Sequence, residues 1–271
     1  MAAKLSLETA IHLGKGAQSG PLSPFYKSSI VVCMQYIPIK TRVVTPPKDN
    51  LFAVLDESLT ALKEGDILLV TSKIVAIHQG LCVPITGTNK KELVKKESEY
   101  WIESHPKYAA SPLAIKYHVM LYAAGIDESN SDGYHTLLPE HPYESAREIW
   151  QYLTQKHQLS KLGVIITDSH VQPLRWGCVG ISIGFWGFHP IERHQGKMDL
   201  FGREMQLSST NIVDGVSAGA GVVSGETNEC TPLIIARDVP KVRFTDTDTR
   251  DELLVPPEDD LYYPVTKVFF E

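Results

Sequence analysis

Two short segments set side chains able to hold a divalent cation beside apolar runs. GIDESN (125–130) places Asp127, Glu128, Ser129 and Asn130 at the end of HVMLYAAGI, and TDSH (167–170) places Asp168 and Ser169 after LGVII. Carboxylate and hydroxyl oxygens are the hard donors that Mg2+ and Mn2+ take. In α/β sheets, binding sites are built at strand ends. The same residue types also cap helices and shape turns, so either segment alone admits both readings. A third segment, SGETNECT (224–231), is rich in Gly, Ser and Thr and lies between an apolar stretch and a strand-like run. Its backbone N–H groups and Glu226 could be offered to a phosphate–metal complex.

Other chemistry-bearing patterns are weaker. GISIG (180–184) matches the G-x-S-x-G nucleophile elbow around Ser182. That elbow needs a helix straight after the serine, and here FWGFHP follows. GAGVVSG (219–225) is one residue too long for G-x-G-x-x-G, and no GxxxxGK[ST] exists. His189 and His194 flank Glu192, but not in HExxH order, so loop roles are expected. Cys33, Cys82, Cys178 and Cys230 are scattered without a CxxC pair, which speaks against a zinc knuckle and for reduced thiols.

The elements that must position these residues follow from periodicity. Among 271 residues, 43% are hydrophobic and 21% charged, an ordinary balance for a globular chain long enough to need no staples. The net charge of −6 carries no basic excess, so a nucleic-acid partner is not expected. No run approaches the ~18 apolar residues of a membrane span. The N-terminal MAAKLSLETAIHLGKG has one lysine and no long apolar core, so it does not read as a secretory signal, and a cytoplasmic location is expected. Residues 1–28 read as an arm or linker, with the main domain at 29–271. Strands are expected at SSIVVCMQYI, DILLVTSKIV (66–75), GLCVPI (80–85), HVMLYAAGI, LGVIITD (162–168, ending at Asp168-Ser169), GCVGISIGF (177–185), PLIIAR (232–237) and VTKVFF (265–270). Helices are expected on Leu51, Leu55, Leu59 and Leu62 with a stop at Gly65, over 91–103, on Ala146, Ile149, Trp150 and Leu153 after Pro142, and within the small-residue stretch 206–223. RFTDTDTRDE reads as a loop. The class is α+β, a mixed α/β fold.

Taken in order, these segments resemble the CofE-type gamma-glutamyl ligase family. The resemblance runs from about Tyr36 to Arg237. It rests on EGDILLVTSKIV (64–75), GIDESN (125–130), LLPEHPYESAREI (137–149), GVIITDSH (163–170), RWGCVGISIG (175–184), GKMDLFGRE (196–204) and SGETNECTP (224–232). It implies two interlocked subdomains with mixed sheets and flanking helices, and an intertwined homodimer. It implies GTP or ATP, two ions of Mg2+ or Mn2+, and L-glutamate as substrates and cofactors. By position it makes Asp127, Asp168, Ser169 and Glu226 metal ligands, Asp127 and Asp168 being the catalytic pair. Nucleotide contacts would come from Ile37, Pro38, Ile39 and Lys40, from Ser72 and Lys73, from Asn130, and from Ser224, Gly225, Glu226, Thr227 and Asn228. The run TSKIVAIHQGL departs from the family pattern: Ile77 stands for a lysine, Leu81 for an arginine, and Gly215 for an acid after Asp214. With these departures the chain looks more like the family's folate-metabolism branch, which implies a folate-like acceptor, with the deazaflavin precursor of coenzyme F420 as the other candidate.

The implied chemistry suits these residue types. A gamma-carboxylate is a poor electrophile until a nucleotide phosphoryl group makes it an acyl phosphate, which the amine of glutamate can attack. Such transfer is mostly positioning plus electrostatic stabilisation, and it needs no activated Ser or Cys. The rivals are a serine esterase using Ser182 and a nucleotide-binding module without turnover, the latter kept open by Ile77 and Gly215.

Overall fold

The computed structural model describes residues 33–271 except positions 61 and 109. The expected N-terminal arm and its boundary at residue 28 therefore lie outside the described residues. Residues 34–271 form one unit. Its strands are β1 (Gln35–Ile39), β2 (Asp66–Thr71), β3 (Cys82–Pro84), β4 (Tyr100–Ile102), β5 (Leu113–Lys116), β6 (Val119–Tyr122), β7 (Tyr134–Thr136), β8 (Leu162–Val171), β9 (Cys178–Trp186), β10 (Ile191–Arg193), β11 (Ser209–Asn211) and β12 (Leu233–Arg237). Its helices are α1 (Leu51–Ser58), α2 (Ser72–Gln79), α3 (Lys90–Glu97), α4 (Pro142–His157), α5 (Ile212–Ser224) and α6 (Tyr263–Thr266). Helices and mixed sheets together are the expected α+β class.

The central sheet has the order β1-β12-β2-β8-β9, and only β2 and β8 pair in parallel. Its strands alternate between two buried faces, as a covered sheet requires. Leu68, Val70, Val164, Ile166, Leu233 and Ile235 face α1, α2 and α4, and they pack with Leu55, Val75, Ile149 and Leu153. Ile67, Leu69, Ile165, Ile234 and Phe185 face the other way, onto Ile212, Val213 and Val216 of α5. Each fully buried side chain of this kind contributes roughly 1.5–3 kcal/mol. Between α2 and α4, residues 82–137 form a smaller lobe. Its strands pair as β3-β7 and β4-β5-β6, around a separate apolar cluster that includes Val94, Ala114, Ile126 and Leu137.

Several expected boundaries are corrected. DILLVTSKIV is a strand only to Thr71, and a helix starts at Ser72. A continuous apolar run does not distinguish strand from buried helix, and Ile74, Val75, Ala76 and Ile77 are all buried on α2. The first helix stops at Ser58, short of Leu62 and Gly65. The 91–103 helix stops at Glu97, where Ser98 turns its hydroxyl back onto the Val94 carbonyl, and Tyr100–Ile102 is a strand. HVMLYAAGI leaves strand geometry after Tyr122, in a 3-10 turn over Ala123–Gly125. VTKVFF is helical, not extended, with Pro264 in the first turn of α6. Of the expected strand SSIVVCMQYI, residues 28–32 lie outside the described residues, and the described strand is Gln35–Ile39.

Helix α5 approaches β9 closely because both carry small residues at the crossing. A Cβ added at Gly180 would lie 2.3 Å from the Ser217 carbonyl oxygen, a backbone atom that cannot give way. We expect Gly180→Ala to push α5 off the sheet and to cost about 1–3 kcal/mol, as overpacked cores do. Urea unfolding would show it as a lowered midpoint with unchanged slope; an unchanged midpoint would mean that this crossing is loose.

Candidate functional site

The parallel pair β2 and β8 opens at Thr71 and Thr167 onto a cavity of about 490 Å3. A crevice at the carboxyl ends of parallel strands is the usual location of a ligand site in an α/β sheet. The walls are the first turn of α2, the 127–130 loop of the smaller lobe, residues 167–169 of β8, one side of α5 and the 224–232 loop. Between Ile166 and Thr167 the register of β8 with β9 shifts. Such irregularities re-aim side chains next to sites. Beyond it the strand continues to Val171, so Asp168 and Ser169 lie inside a paired strand and not at its end, as the sequence pattern had indicated.

Asp127 leaves the smaller lobe and meets Lys73 of α2 at 2.6 Å. Its other oxygen accepts the Ser129 N–H at 2.8 Å and the Ser129 hydroxyl at 2.9 Å. Burial alone would push this carboxyl up. The Lys73 ammonium and the Ser129 donors outweigh it and hold the group below the usual carboxylate range. Lys73 also donates to the Ser129 carbonyl at 2.6 Å, so one ammonium fixes the loop at two points.

Asp168 faces the opposite balance. The Ser72 hydroxyl donates to it at 3.1 Å, but no cation among the described residues is ion-paired with it. Desolvation in the cavity, added to by the charge of Asp127, pushes its carboxyl up to about 6. Two carboxylates thus share a site that holds one ammonium: Lys73 keeps Asp127 ionised, and Asp168 bears the penalty. Glu226 lies on the same cavity wall. The Cys178 thiol is raised first by burial and then by the charges of Glu226 and Asp168.

Among the described residues, no three His, Cys, Asp or Glu side chains close on one point as a protein-only metal cage. The donor set is open: Asp127, Asp168, the Ser169 hydroxyl and Glu226, all facing the cavity. Mg2+ keeps several waters and takes one or two carboxylates together with substrate phosphates. The raised Asp168 is an uncompensated charge that such an ion would neutralise. These residues therefore fit hydrated Mg2+ or Mn2+ bound jointly with a ligand.

The cavity brings together Asp127, Asp168, Ser169, Ser72, Lys73, Asn130 and the 224–228 segment. Asn130 reaches across to donate to the Thr227 carbonyl at 2.7 Å, which ties two loops far apart in sequence. Ile37, Pro38, Ile39 and Lys40 do not line it. Ile37 and Ile39 pack into the core, and the wall starts one residue later, at Thr41–Val44. The Ser217 to Gly221 side of α5 escaped sequence reasoning, because small residues carry no chemical signature. Helix α2 has no side-chain cap hydrogen bond, and its first residues line the cavity. Ile77 contributes an apolar patch to the wall.

The esterase geometry is absent. Ser182 is buried inside β9, which continues to Trp186 with no helix after the serine, and its hydroxyl turns to the Gly184 carbonyl. His189 contacts Glu252 and His194 contacts Thr210, as structural loop residues do. The near-Rossmann stretch is the end of α5.

Comparison with known proteins gives a consistent result. Residues 88–238 match the family model described as F420-0:Gamma-glutamyl ligase. A Coenzyme F420:L-glutamate ligase of Methanococcus maripaludis is 32% identical over 248 residues, which cover 85% of this chain and 98% of that protein. The Coenzyme F420:L-glutamate ligase of Methanopyrus kandleri is 30% identical, covering 74% of this chain and 84% of its own length. That of Methanothermobacter thermautotrophicus is 30% identical, with 78% and 90% covered.

The Asp168 environment has a consequence for stability without metal. Its folded-state value of about 6 lies above that of an unfolded aspartate, ~3.9. The folded state therefore binds the proton more tightly, and the stability this gives, present below about pH 4, is lost as pH rises through 6. We expect Asp168→Asn to be more stable than the parent by roughly 1–3 kcal/mol near pH 8 in urea unfolding without divalent cations. The difference should shrink toward pH 4; a difference independent of pH would place the charge elsewhere.

Proposed function

Because the chain belongs to the F420-0:gamma-glutamyl ligase family, a family of ligase enzymes, we propose that it is an acid–amino-acid ligase. It joins L-glutamate in a gamma-glutamyl amide bond to a folate-like acceptor or a deazaflavin cofactor precursor, at the expense of GTP or ATP. The carrying observation is the single cavity in which Asp127, Asp168, Lys73, an uncapped helix start and the 224–228 loop face one another.

Each part has a role in this reading. The N–H groups at the start of α2, which has no side-chain cap, receive phosphate oxygens, as helix N-termini do. Two ions of Mg2+ or Mn2+, held by Asp127, Asp168, Ser169 and Glu226, supply the positive charge that phosphoryl transfer requires. Lys73, which pairs with Asp127, is the ammonium closest to hand for the phosphates. Arg42, the other cation on the cavity wall, is engaged by Asp49 and Glu57. Asn130 and the 224–228 segment hold the nucleotide. The walls restrict water around an acyl phosphate that would otherwise hydrolyse. A homodimer goes with this reading: Met198, Leu200, Phe201 and Leu207 are exposed between β10 and β11, an apolar surface of the kind that partners cover. So does a cytoplasmic location; no described helix is long and apolar enough to cross a membrane.

The test is mass-spectrometric. Tetrahydrofolate and the deazaflavin precursor are each offered with glutamate and either nucleotide, and a product heavier by one or more glutamyl groups is expected from one acceptor. Nucleotide binding without consumption in any combination would favour a binding module. Asp168→Asn is expected to abolish ligation while folding normally, and Mg2+ should raise the melting temperature of the parent more than that of the variant, since an ion bound only by the folded state stabilises it. Lys73→Ala should raise the nucleotide KM several-fold; an unchanged KM would remove Lys73 from the phosphate site. Sedimentation at micromolar concentration should show a dimer, with an interface above the standard ~1,600 Å2; a 30.1 kDa species would refute it.

A further inference from the structure

The loop after α5 holds an anion of its own. The Thr227 N–H donates to one oxygen of the Glu229 carboxylate at 2.9 Å, and the Thr227 hydroxyl donates to the other at 3.0 Å. The carboxylate is thus gripped at both oxygens by one residue. It rests on Gly225: a Cβ there would lie 2.2 Å from the Glu229 carboxyl carbon. Gly225 also has φ +75°, a conformation that other residues rarely take. Successive N–H groups in such a turn form an anion-binding concavity.

This cradle is held from several sides. Asn130 fixes the Thr227 carbonyl from the opposite wall. The Thr231 hydroxyl closes the base of the loop on the Ser224 carbonyl, and the Thr41 N–H donates to the Cys230 carbonyl at 3.0 Å. Residues 224–232 all line the cavity, so the cradle opens where a substrate would sit. The donors to Glu229 are N–H and O–H groups of its own loop, its own N–H first, and they hold its carboxyl below the usual range. A charge gripped by neutral donors, with no cation ion-paired to it among the described residues, is readily replaced by another oxyanion of the same shape.

We propose that Glu229 is an internal stand-in: its carboxylate occupies the subsite for an oxyanion of the substrate, a carboxylate or a phosphoryl group, and is displaced when that substrate binds. This rests on the ligase reading in that the occupant is a reactant of that site. An internal competitor lowers the apparent affinity by the fraction of molecules in which the cradle is free. Removing it should therefore tighten binding, even though an acid is being taken from a loop it helps to shape. A carboxylate that merely staples the loop would have the opposite effect.

Calorimetric titrations separate the two. Glu229→Gln keeps the shape but removes the charge, and Glu229→Ala empties the cradle. Each variant and the parent are titrated with L-glutamate and, separately, with magnesium pyrophosphate. Glu229→Ala is expected to bind one of the two anions about five-fold tighter or better, with Glu229→Gln between it and the parent. A gain confined to L-glutamate assigns the cradle to the amino-acid or acceptor carboxylate; a gain confined to pyrophosphate assigns it to nucleotide phosphate. Equal or weaker binding of both anions by both variants overturns the inference, as does a weakening that tracks a fall in melting temperature. Binding of GTP and ATP by the parent, titrated alongside, reads the ligase proposal separately: its failure would sink that proposal, whereas the cradle stands or falls on the variants.

Discussion

One ammonium group holds the two parts of the site together. Lys73, in the first turn of α2, binds the Asp127 carboxylate and the Ser129 carbonyl of the smaller lobe, and between them these contacts set where the 127–130 loop stands relative to the central sheet. Asp168 is left beside this pair with only hydroxyl and N–H donors. The site is therefore short of positive charge in a partly desolvated cavity, where each missing charge counts for more than it would in water. Such an arrangement is costly when empty and becomes favourable when a cation arrives. Sites used for chemistry commonly store this kind of imbalance.

The sheet explains how acids from distant segments come to share one cavity. Parallel strands need a crossover, and the only parallel pair among the described residues, β2 and β8, is joined by a long one that contains α2, the whole smaller lobe and α4. The crossover starts at Ser72 and carries Asp127 back over the strand ends, while β8 delivers Asp168 beside Thr71. The antiparallel β12 then leads in from the 224–232 loop next to β2. Three chain segments converge because β2 ends, β12 begins and β8 loses its β2 partner at the same edge of the crevice. The burial of Ile67 to Val70 and Val164 to Ile166 makes that edge rigid.

The acids of this site were legible because three hard-donor segments occur in one chain in an order that resembles a ligase family, although each segment alone also reads as a turn. Their exact settings were not. The step from strand to helix at Ser72 is hidden in DILLVTSKIV, where both states bury the same residue types. Asp168 looked like a strand end because polarity rises there, yet β8 continues through Val171 as an arm paired with β9 beyond the register shift. Thr41–Val44 and the α5 wall contribute shape and backbone, which leave no trace in residue type. Glu229 was passed over because a second acid in SGETNECT reads as another polar loop residue; its meaning depends on Thr227 and Gly225 being folded around it.

Ile77 makes the electrostatic consequence sharper. An apolar side chain on the cavity wall cannot meet a phosphate, and Lys73 and Arg42 already have carboxylate partners. Any polyanion entering must therefore bring cations with it, use uncharged donors such as the α2 N–H groups and the 224–228 backbone, or displace an acid from its partner. The first route calls on Asp127, Asp168 and Glu226, and the last on Lys73 and the Glu229 cradle. All of these act in the same direction. Asp127 and Glu229 are places from which a counterion or a substrate anion can take over an interaction the protein makes with itself, an ion pair with Lys73 in the first case and hydrogen bonds from Thr227 in the second, so that an exchange of partners limits the net cost in buried charge.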